Sequence, residues 1–578
     1  MQTIKKRIAE QIVKGVKSIN SEAEINAADV ASMLEYPPDA NMGDLAFPCF
    51  KLSKTLRRSP VQIAQAIAEG FSDEAVSRAE VVGGYFNLYL DGEYLMRHTL
   101  AAVFEKKDAY GSPDDCEGKV VVFDYSSPNL AKPFHIGHLG TTVIGHSLRK
   151  LHEFAGYKCV GINYVGDWGT QFGKLIVAYK KWGDRETVEN GGVDALVDLY
   201  VRINNAISGN EEQGIPADPA LADEARAEFC KMEQGDEENL ELWRWLVKLS
   251  LKANDEIYAQ LGITFDSYKG ESNYTDEMPL QVQKLRDAGL LKLDDGASIV
   301  DLSDYNMPPC LILKRDGSSL YPTRDIAAAY DRKKLYDFDK AVYVTSAGQS
   351  LHFAQWFKVV ELMGYDWADK LVHVPYGTVS INGAKLATRT GNVILLRDLF
   401  ALAAEKVAGI MEEKSPNLKD KEKIAEQIGV GAIVFYYLSN TRMKDINFVM
   451  EDALSFEGNT GPYVQYTYAR ACSILNRAEA LDESCAPVAS APEEVALAKV
   501  LSTFGEKVFE ALETYEPSVI ARYILSVATA FNRFYHNCTI LGAEDEKVRA
   551  SRIALTAATK TVLGNAFDLI CLKKIEKI

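Results

Sequence analysis

One run of residues concentrates the chemistry of this chain: Ser126-Ser127-Pro128-Asn129-Leu130-Ala131-Lys132-Pro133-Phe134-His135-Ile136-Gly137-His138. His135 and His138 are three apart, so on a helix they share a face. Gly137 has no side chain, which lets a flat ring lie against the backbone. Pro133 suits the first position of a helix. The helix N-terminus offers free N–H groups and partial positive charge to a phosphate, and Lys132 adds a full charge. Residues of these types at this spacing can bind ATP and stabilise charge on the α-phosphate as a carboxylate attacks it. Two histidines near a helix start would by themselves read as a cap. The Pro, Asn and Lys around them, after a buried strand, favour the phosphate site.

That strand is Lys119-Val120-Val121-Val122-Phe123-Asp124-Tyr125, β-branched and bounded by Gly118 and Ser126, the mark of a buried parallel strand. A loop, a helix from near Pro133 and a second apolar strand, Val160 to Val165, complete a βαβ unit. Its ligand edge lies at the strand C-termini. Strand-like runs at Pro309 to Lys314, Lys340 to Thr345 and Leu371 to Val374 are expected to continue the same sheet. Roughly Arg185 to Met278 reads as an acidic, mostly helical insertion. The first ~105 residues read as a small α/β unit, with helices near Ile4 to Ile19 and Val61 to Phe71 and a strand-like run Val81 to Leu90. A turn-rich joint, Asp108 to Gly118, follows it. From about Leu399 the pattern is helical to the end, apart from a Pro/Ser/Ala-rich surface loop, Asp482 to Pro492. The expected fold class is therefore α/β. A Rossmann-type parallel-sheet catalytic domain (118–398, helical insertion at about 185–278) lies between an N-terminal α/β add-on domain (1–105) and a C-terminal α-helical domain (399–578).

At 578 residues, 47% hydrophobic and 25% charged, the chain is too long for one core and ordinary for a globular protein. Its net charge of -17 argues against a general nucleic-acid binder. Most of the acidic excess falls before residue 440, and an RNA partner would meet local basic patches and bind more weakly as salt rises. Nine cysteines are scattered singly with no CxxC pair, which suits a reducing cytoplasm rather than a disulfide framework or zinc site. The longest apolar run, Ile428 to Leu438, is interrupted by Gly429 and Gly431 and is too short to span a bilayer. The opening residues lack the apolar block of a signal peptide.

His135-Ile136-Gly137-His138 resembles the HIGH signature of class I aminoacyl-tRNA synthetases, and the longer Ser126 to His138 form is similar to their arginyl branch. Tyr164-Val165-Gly166-Asp167-Trp168-Gly169-Thr170-Gln171-Phe172-Gly173 resembles the same branch. The likeness continues through Phe265 to Tyr274 and Leu454 to Tyr466, and so over nearly the whole chain. Gly383-Ala384-Lys385-Leu386-Ala387-Thr388-Arg389-Thr390-Gly391 resembles the KMSKS loop that closes over the triphosphate. Thr388 stands where the second lysine is expected, and Lys132 is a substitute charge for it.

The resemblance implies ligation of L-arginine to tRNA(Arg) through an arginyl-adenylate, with ATP consumed, AMP and pyrophosphate released, and Mg2+ travelling with the nucleotide. It implies an anticodon-binding role for the helical domain and a tRNA-elbow contact near Asn41 to Cys49. His135, His138, Lys132, Lys385 and Arg389 would be catalytic. Lys132, His135, Gly137, His138, Lys385 and Leu386 would bind ATP. A guanidinium offers five donors in a fixed fork, so its pocket needs acceptors. Asp124 ends the first strand, Tyr321 and Asp325 fall in a stretch resembling the family's YxTRD, and Gln349 matches another substrate contact. Asn129 would hold the α-amino end, with His135 near both substrates. Such polar pairing rejects a wrong head group roughly ten-thousandfold, so no editing domain is required. Asp325 could instead be a helix N-cap, and Asp124 could accept loop N–H groups. Tyr463, Tyr466, Tyr468 and Arg470 could stack on bases or pack in a helix core. Family analogy points to a monomer and to activation that needs bound tRNA. The rivals are a small-molecule nucleotidyltransferase, a synthetase-like RNA-binding protein without catalysis, and a synthetase for another amino acid.

Overall fold

Ile4, Ile8, Ile12 and Val16 recur at helical spacing, and all four are buried on one face of the helix Gln2–Ile19. The structure is a computed structural model. It describes residues 1–113, 116–132, 134–210, 214–381, 384–385, 394–414, 418–478 and 481–578, with only the backbone described at 40, 384, 385 and 414. A second helix, Pro60–Glu69, opens on a reciprocal cap between Ser59 and Gln62. Both share a core with an antiparallel sheet of β1 (Leu45–Pro48), β2 (Val76–Val82) and β3 (Tyr85–Leu90) in the order β1-β3-β2, the second helix lying against β2 and β3. The run Val81 to Leu90, read from sequence as one strand, is the tip and return arm of a hairpin. Gly83, at φ +61, makes the reversal.

The central sheet begins with β4 (Val120–Asp124) and β5 (Lys158–Ile162). A small antiparallel sheet of β6 (Leu291–Asp294), β7 (Ala297–Val300) and β8 (Cys310–Leu313) follows in sequence. Then β9 (Lys340–Ser346) and β10 (Leu371–Tyr376) return to the centre, giving the all-parallel order β10-β9-β4-β5. The chain leaves β4 to one side for β5 and re-enters on the other side at β9. The crevice at the C-terminal end of β4 is therefore a topological switch point. The strand at Cys310–Leu313 pairs with β7 and not with the central sheet, contrary to the sequence expectation. Its Leu311 is exposed while Cys310 and Ile312 are buried, the alternation of a sheet wetted on one face.

A second correction concerns the helix after β4. It runs Leu139–Phe154 and is preceded by one 3-10 turn, Ile136–His138, so His135 stands before the helix as a cap. The insertion contributes Arg185–Ser208, Ala220–Glu233 and Glu237–Leu261, which share a core with Phe172, Leu175 and Ile176. From Leu396 the chain is mostly helical. A short strand, β13 (Ile446–Phe448), interrupts that pattern and pairs in parallel with β11 (Val379–Ile381), which pairs antiparallel with β12 (Ala384–Lys385). The C-terminal helices and one face of the central sheet form a continuous core. Among the described residues no helix is long and apolar enough to cross a membrane.

Candidate active site

Three loops leave the switch-point edge. The first, after Asp124, carries Ser126, Ser127 and Ala131 at positive φ (69, 46 and 58), a conformation costly for side chains with a Cβ. The surroundings impose it. Ser126 Oγ meets Thr142 Oγ1 at 2.9 Å and Tyr258 Oη at 2.7 Å. Ser127 N–H donates to Asn163 Oδ1 at 3.1 Å, and Ser127 Oγ donates to Asp124 Oδ1 at 2.8 Å while accepting from Tyr164 N–H at 3.0 Å. The two sequence motifs are laced together as well. Gly166 N–H donates to Pro128 O at 3.1 Å, and Leu130 N–H donates to Gly166 O at 3.1 Å. A Cβ on Gly166 would stand 2.2 Å from Asn129 Oδ1, so any other residue there would displace the Asn129 side chain. Asn129 itself is exposed at the edge.

The histidines then cap one another. His135 Nδ1 accepts from Gly137 N–H at 3.1 Å, and His138 Nδ1 accepts from His135 N–H at 3.2 Å. A backbone N–H only donates, so neither Nδ1 carries a proton. Each ring is held as the Nε2–H tautomer, with that N–H left to donate. The rings lie 3.9 Å apart between centroids, and Phe134 stacks on His138 at 4.9 Å. Burial, with Lys132 a lesser cause, lowers the His135 pKa. Burial, and then His135, brings His138 down to about 3. The pair is therefore a neutral double donor rather than a pair of cations. Lys132 is exposed beside it, so the full positive charge sits at the rim.

Carboxylates come from two further segments, the helix Tyr321–Tyr336 and the turn Glu271–Tyr274. The helix Tyr321–Tyr336 starts with Tyr321, 67% exposed, and places Asp325 one turn on. Asp325 Oδ2 is 2.6 Å from His352 Nε2. Gln349 is exposed at the end of β9 and immediately precedes the helix Ser350–Leu362 that carries His352. Glu271 Oε2 accepts from Arg324 Nη1 at 2.6 Å. Burial lifts the Glu271 pKa to about 7, with Arg324 opposing and Asp325 and Asp167 adding to the rise. Glu271, His352, Arg324 and Arg332 were not singled out from the sequence. Glu271 lies within Phe265 to Tyr274, a stretch the resemblance covers, but nothing local marks it out from its polar neighbours. Arg332 did leave a signal, a lone charge three residues beyond Ala329 on a buried helix face.

Asp124 differs from the sequence expectation. Its carboxylate is buried, and Ser127 and Arg332 Nη2 (2.8 Å) already occupy it. Arg332 is 2% exposed. Its Nη2 lies at ion-pair distance but out of line for a hydrogen bond. Asp124 thus braces the floor of the pocket through Ser127 and Arg332.

Of the loop resembling KMSKS, Lys385 is seen as backbone, paired with Ser380 across β11 and β12. Leu386, Thr388 and Arg389 lie outside the described residues. The chain re-enters at Leu395, which bridges antiparallel to His135. The far end of this loop is thus tied to the site. Among the described residues no group of three or more His, Cys, Asp or Glu side chains is placed to hold a metal ion.

Comparison with known proteins gives a consistent result along the chain. Residues 99–450 match the family described as tRNA synthetases class I (R), catalytic domain. Residues 464–578 match the DALR anticodon binding domain, and residues 2–90 the arginyl tRNA synthetase N terminal domain. An arginine–tRNA ligase of Alkaliphilus metalliredigens is 45% identical over 581 residues, covering 100% of both chains. One from Clostridium botulinum (strain Loch Maree) is 46% identical over 560 residues, 97% of this chain and 98% of that one. The solved structure of Thermus thermophilus arginyl-tRNA synthetase aligns at TM-score 0.80 and 25% identity, covering 99% of this chain and 100% of that one. The Plasmodium falciparum arginyl-tRNA synthetase shares the fold at TM-score 0.80 and 23% identity, covering 100% and 99%. The chain belongs to the arginyl-tRNA synthetase family of class I.

Proposed function

We infer that this chain ligates L-arginine to tRNA(Arg) in two steps, with the roles below assigned to its residues. The arginine carboxylate attacks the α-phosphate of ATP, giving arginyl-adenylate and pyrophosphate. The terminal ribose hydroxyl of the tRNA then takes the arginyl group and releases AMP. The observation that carries the reading is that Asp325 and Glu271 gather beside Tyr164 at the exit of β5, a segment hydrogen-bonded to the loop that leads into the histidine pair. Acceptors suit a guanidinium, and neutral N–H donors suit a phosphate in transit.

Asp325, Tyr321, Gln349 and Glu271 take the guanidinium end, and Asn129 the α-amino end. His135 and His138 donate through Nε2–H to phosphate oxygens, and Gly137 leaves room for the adenine ring. Lys132, Lys385, Leu386 and Arg389 close on the triphosphate. Mg2+ would come with the nucleotide and would supply positive charge to the phosphates beside Lys132, Lys385 and Arg389. No protein nucleophile is used: positioning and charge stabilisation carry the rate. Residues 1–105 bind the tRNA elbow, 118–398 catalyse, and 399–578 read the anticodon. The enzyme works as a monomer in the cytoplasm.

The test is ATP–pyrophosphate exchange with each amino acid, with and without tRNA(Arg). Exchange with arginine in the presence of tRNA supports the reading. Exchange with another amino acid, or silence in every combination, overturns it.

A further inference from the structure

Two helix N-termini face each other across the guanidinium end of the crevice. One carries Tyr321, Arg324 and Asp325; the other carries Gln349 and His352. The 2.6 Å contact from His352 Nε2 to Asp325 Oδ2 ties them side chain to side chain. We propose that His352 is a positioning residue for arginine selection: it holds the Asp325 carboxylate in the rotamer that receives the substrate guanidinium. The proposal rests on the assignment of Asp325 as a guanidinium ligand.

The two carboxylates of the pocket are held by different chemistry. Glu271 is paired with Arg324, a permanent cation that offsets its charge. Asp325 is paired with an imidazole, which donates one hydrogen bond without a formal charge when neutral. The bond uses Oδ2 and leaves Oδ1 and the carboxylate's negative charge for the ligand. A lysine or arginine at 352 would fix the same rotamer but bring a second permanent cation beside Arg324, leaving the pocket without a net negative charge for a guanidinium.

His352 is itself held in place. Its ring meets Phe353 edge to face at 5.5 Å between centroids. Phe353 in turn lies flat on His373 at 4.4 Å and 5°, and His373 Nε2 is 2.8 Å from Thr345 Oγ1 on β9. The donor is thus referenced to the central sheet through a ring stack, which keeps a short aspartate side chain from turning to solvent.

The test is steady-state aminoacylation at saturating tRNA, measuring KM for arginine, KM for ATP and kcat. His352→Phe keeps the ring volume and removes the donor. His352→Gln keeps an N–H at a reach similar to Nε2. His352→Phe is expected to raise the arginine KM about tenfold and to leave the ATP KM within about twofold, as loss of one hydrogen bond to a charged group implies. His352→Gln is expected to stay within about threefold of wild type. Asp325→Asn is expected to raise the arginine KM further, and His352→Phe added to it should have little additional effect. Unchanged arginine KM in His352→Phe, equal rises for arginine and ATP, or additivity with Asp325→Asn would overturn the proposal. An unchanged arginine KM in Asp325→Asn would instead overturn the pocket assignment beneath it.

Discussion

Ile136 donates its backbone N–H to the carbonyl of Ile394 at 3.3 Å, and two residues on Leu396 donates back to Phe134 at 2.9 Å. The segment bearing the histidine pair and the segment leaving the KMSKS-like loop are therefore one small antiparallel ladder. A loop that closes over a triphosphate would pull directly on the backbone beside His135.

The first prediction follows from that ladder. When ATP binds, the amides of 134–136 and 394–396 should gain protection together in hydrogen-exchange mass spectrometry, because opening either strand breaks both bonds. Protection of 394–396 with no change at 134–136 would show that the two segments move independently.

The second concerns acid. His138 is pulled down to about 3, chiefly by burial. Because its folded value lies below the unfolded one, its contribution to stability is present above pH 6.5 and is lost as pH falls toward 3. Protonation would also break the bond from His135 N–H. His138→Gln should therefore flatten the fall of the thermal midpoint between pH 6.5 and 4. It should lower kcat about a hundredfold at pH 8, where the wild-type ring is already neutral. An unaltered midpoint profile would mean that His138 is more solvated than its burial implies.

The parts of this protein legible in its sequence were those encoded within one element. The run Val120 to Phe123 is apolar on both faces, so β4 could be read as a buried parallel strand without knowing its neighbours. The His135–His138 pair was legible for the same reason, although its helix starts later than Pro133 suggested. What escaped was encoded between elements. Cys310–Leu313 has the composition of a central strand, and only its pairing with β7 places it elsewhere. His352 and Asp325 are 27 positions apart, and no local pattern joins them. Asp124 looked like an open acceptor because its partner Arg332 arrives from a distant helix.

A third prediction uses Glu271. With burial raising its pKa to about 7, the carboxylate is charged above that pH and neutral below it. An approaching guanidinium needs the charged form, so kcat/KM for arginine should fall about tenfold per unit below pH 7. Bound arginine would stabilise the carboxylate, so kcat at saturation should titrate at lower pH. Glu271→Gln should abolish the step and leave kcat/KM low throughout. A wild-type profile flat from pH 8 to 6 would count against this carboxylate as a ligand.

The last prediction concerns the brace below the pocket. Arg332 and Asp124 are both buried, so bulk solvent does not reach in to replace a lost partner. Removing one of a buried pair leaves an uncompensated charge at a cost of about 3–5 kcal/mol. Arg332→Met should therefore lower the thermal midpoint by several degrees. Adding Asp124→Asn should restore much of it, since an amide needs no counter-ion. Activity should not return with stability. Asp124 holds Ser127, and Ser127 Oγ holds the backbone of Tyr164, so the double variant would be folded yet carry a loosened loop ahead of Asn129. Thermal melts beside arginine KM values would separate the two effects: recovery of both would reduce Asp124 to a purely structural anion.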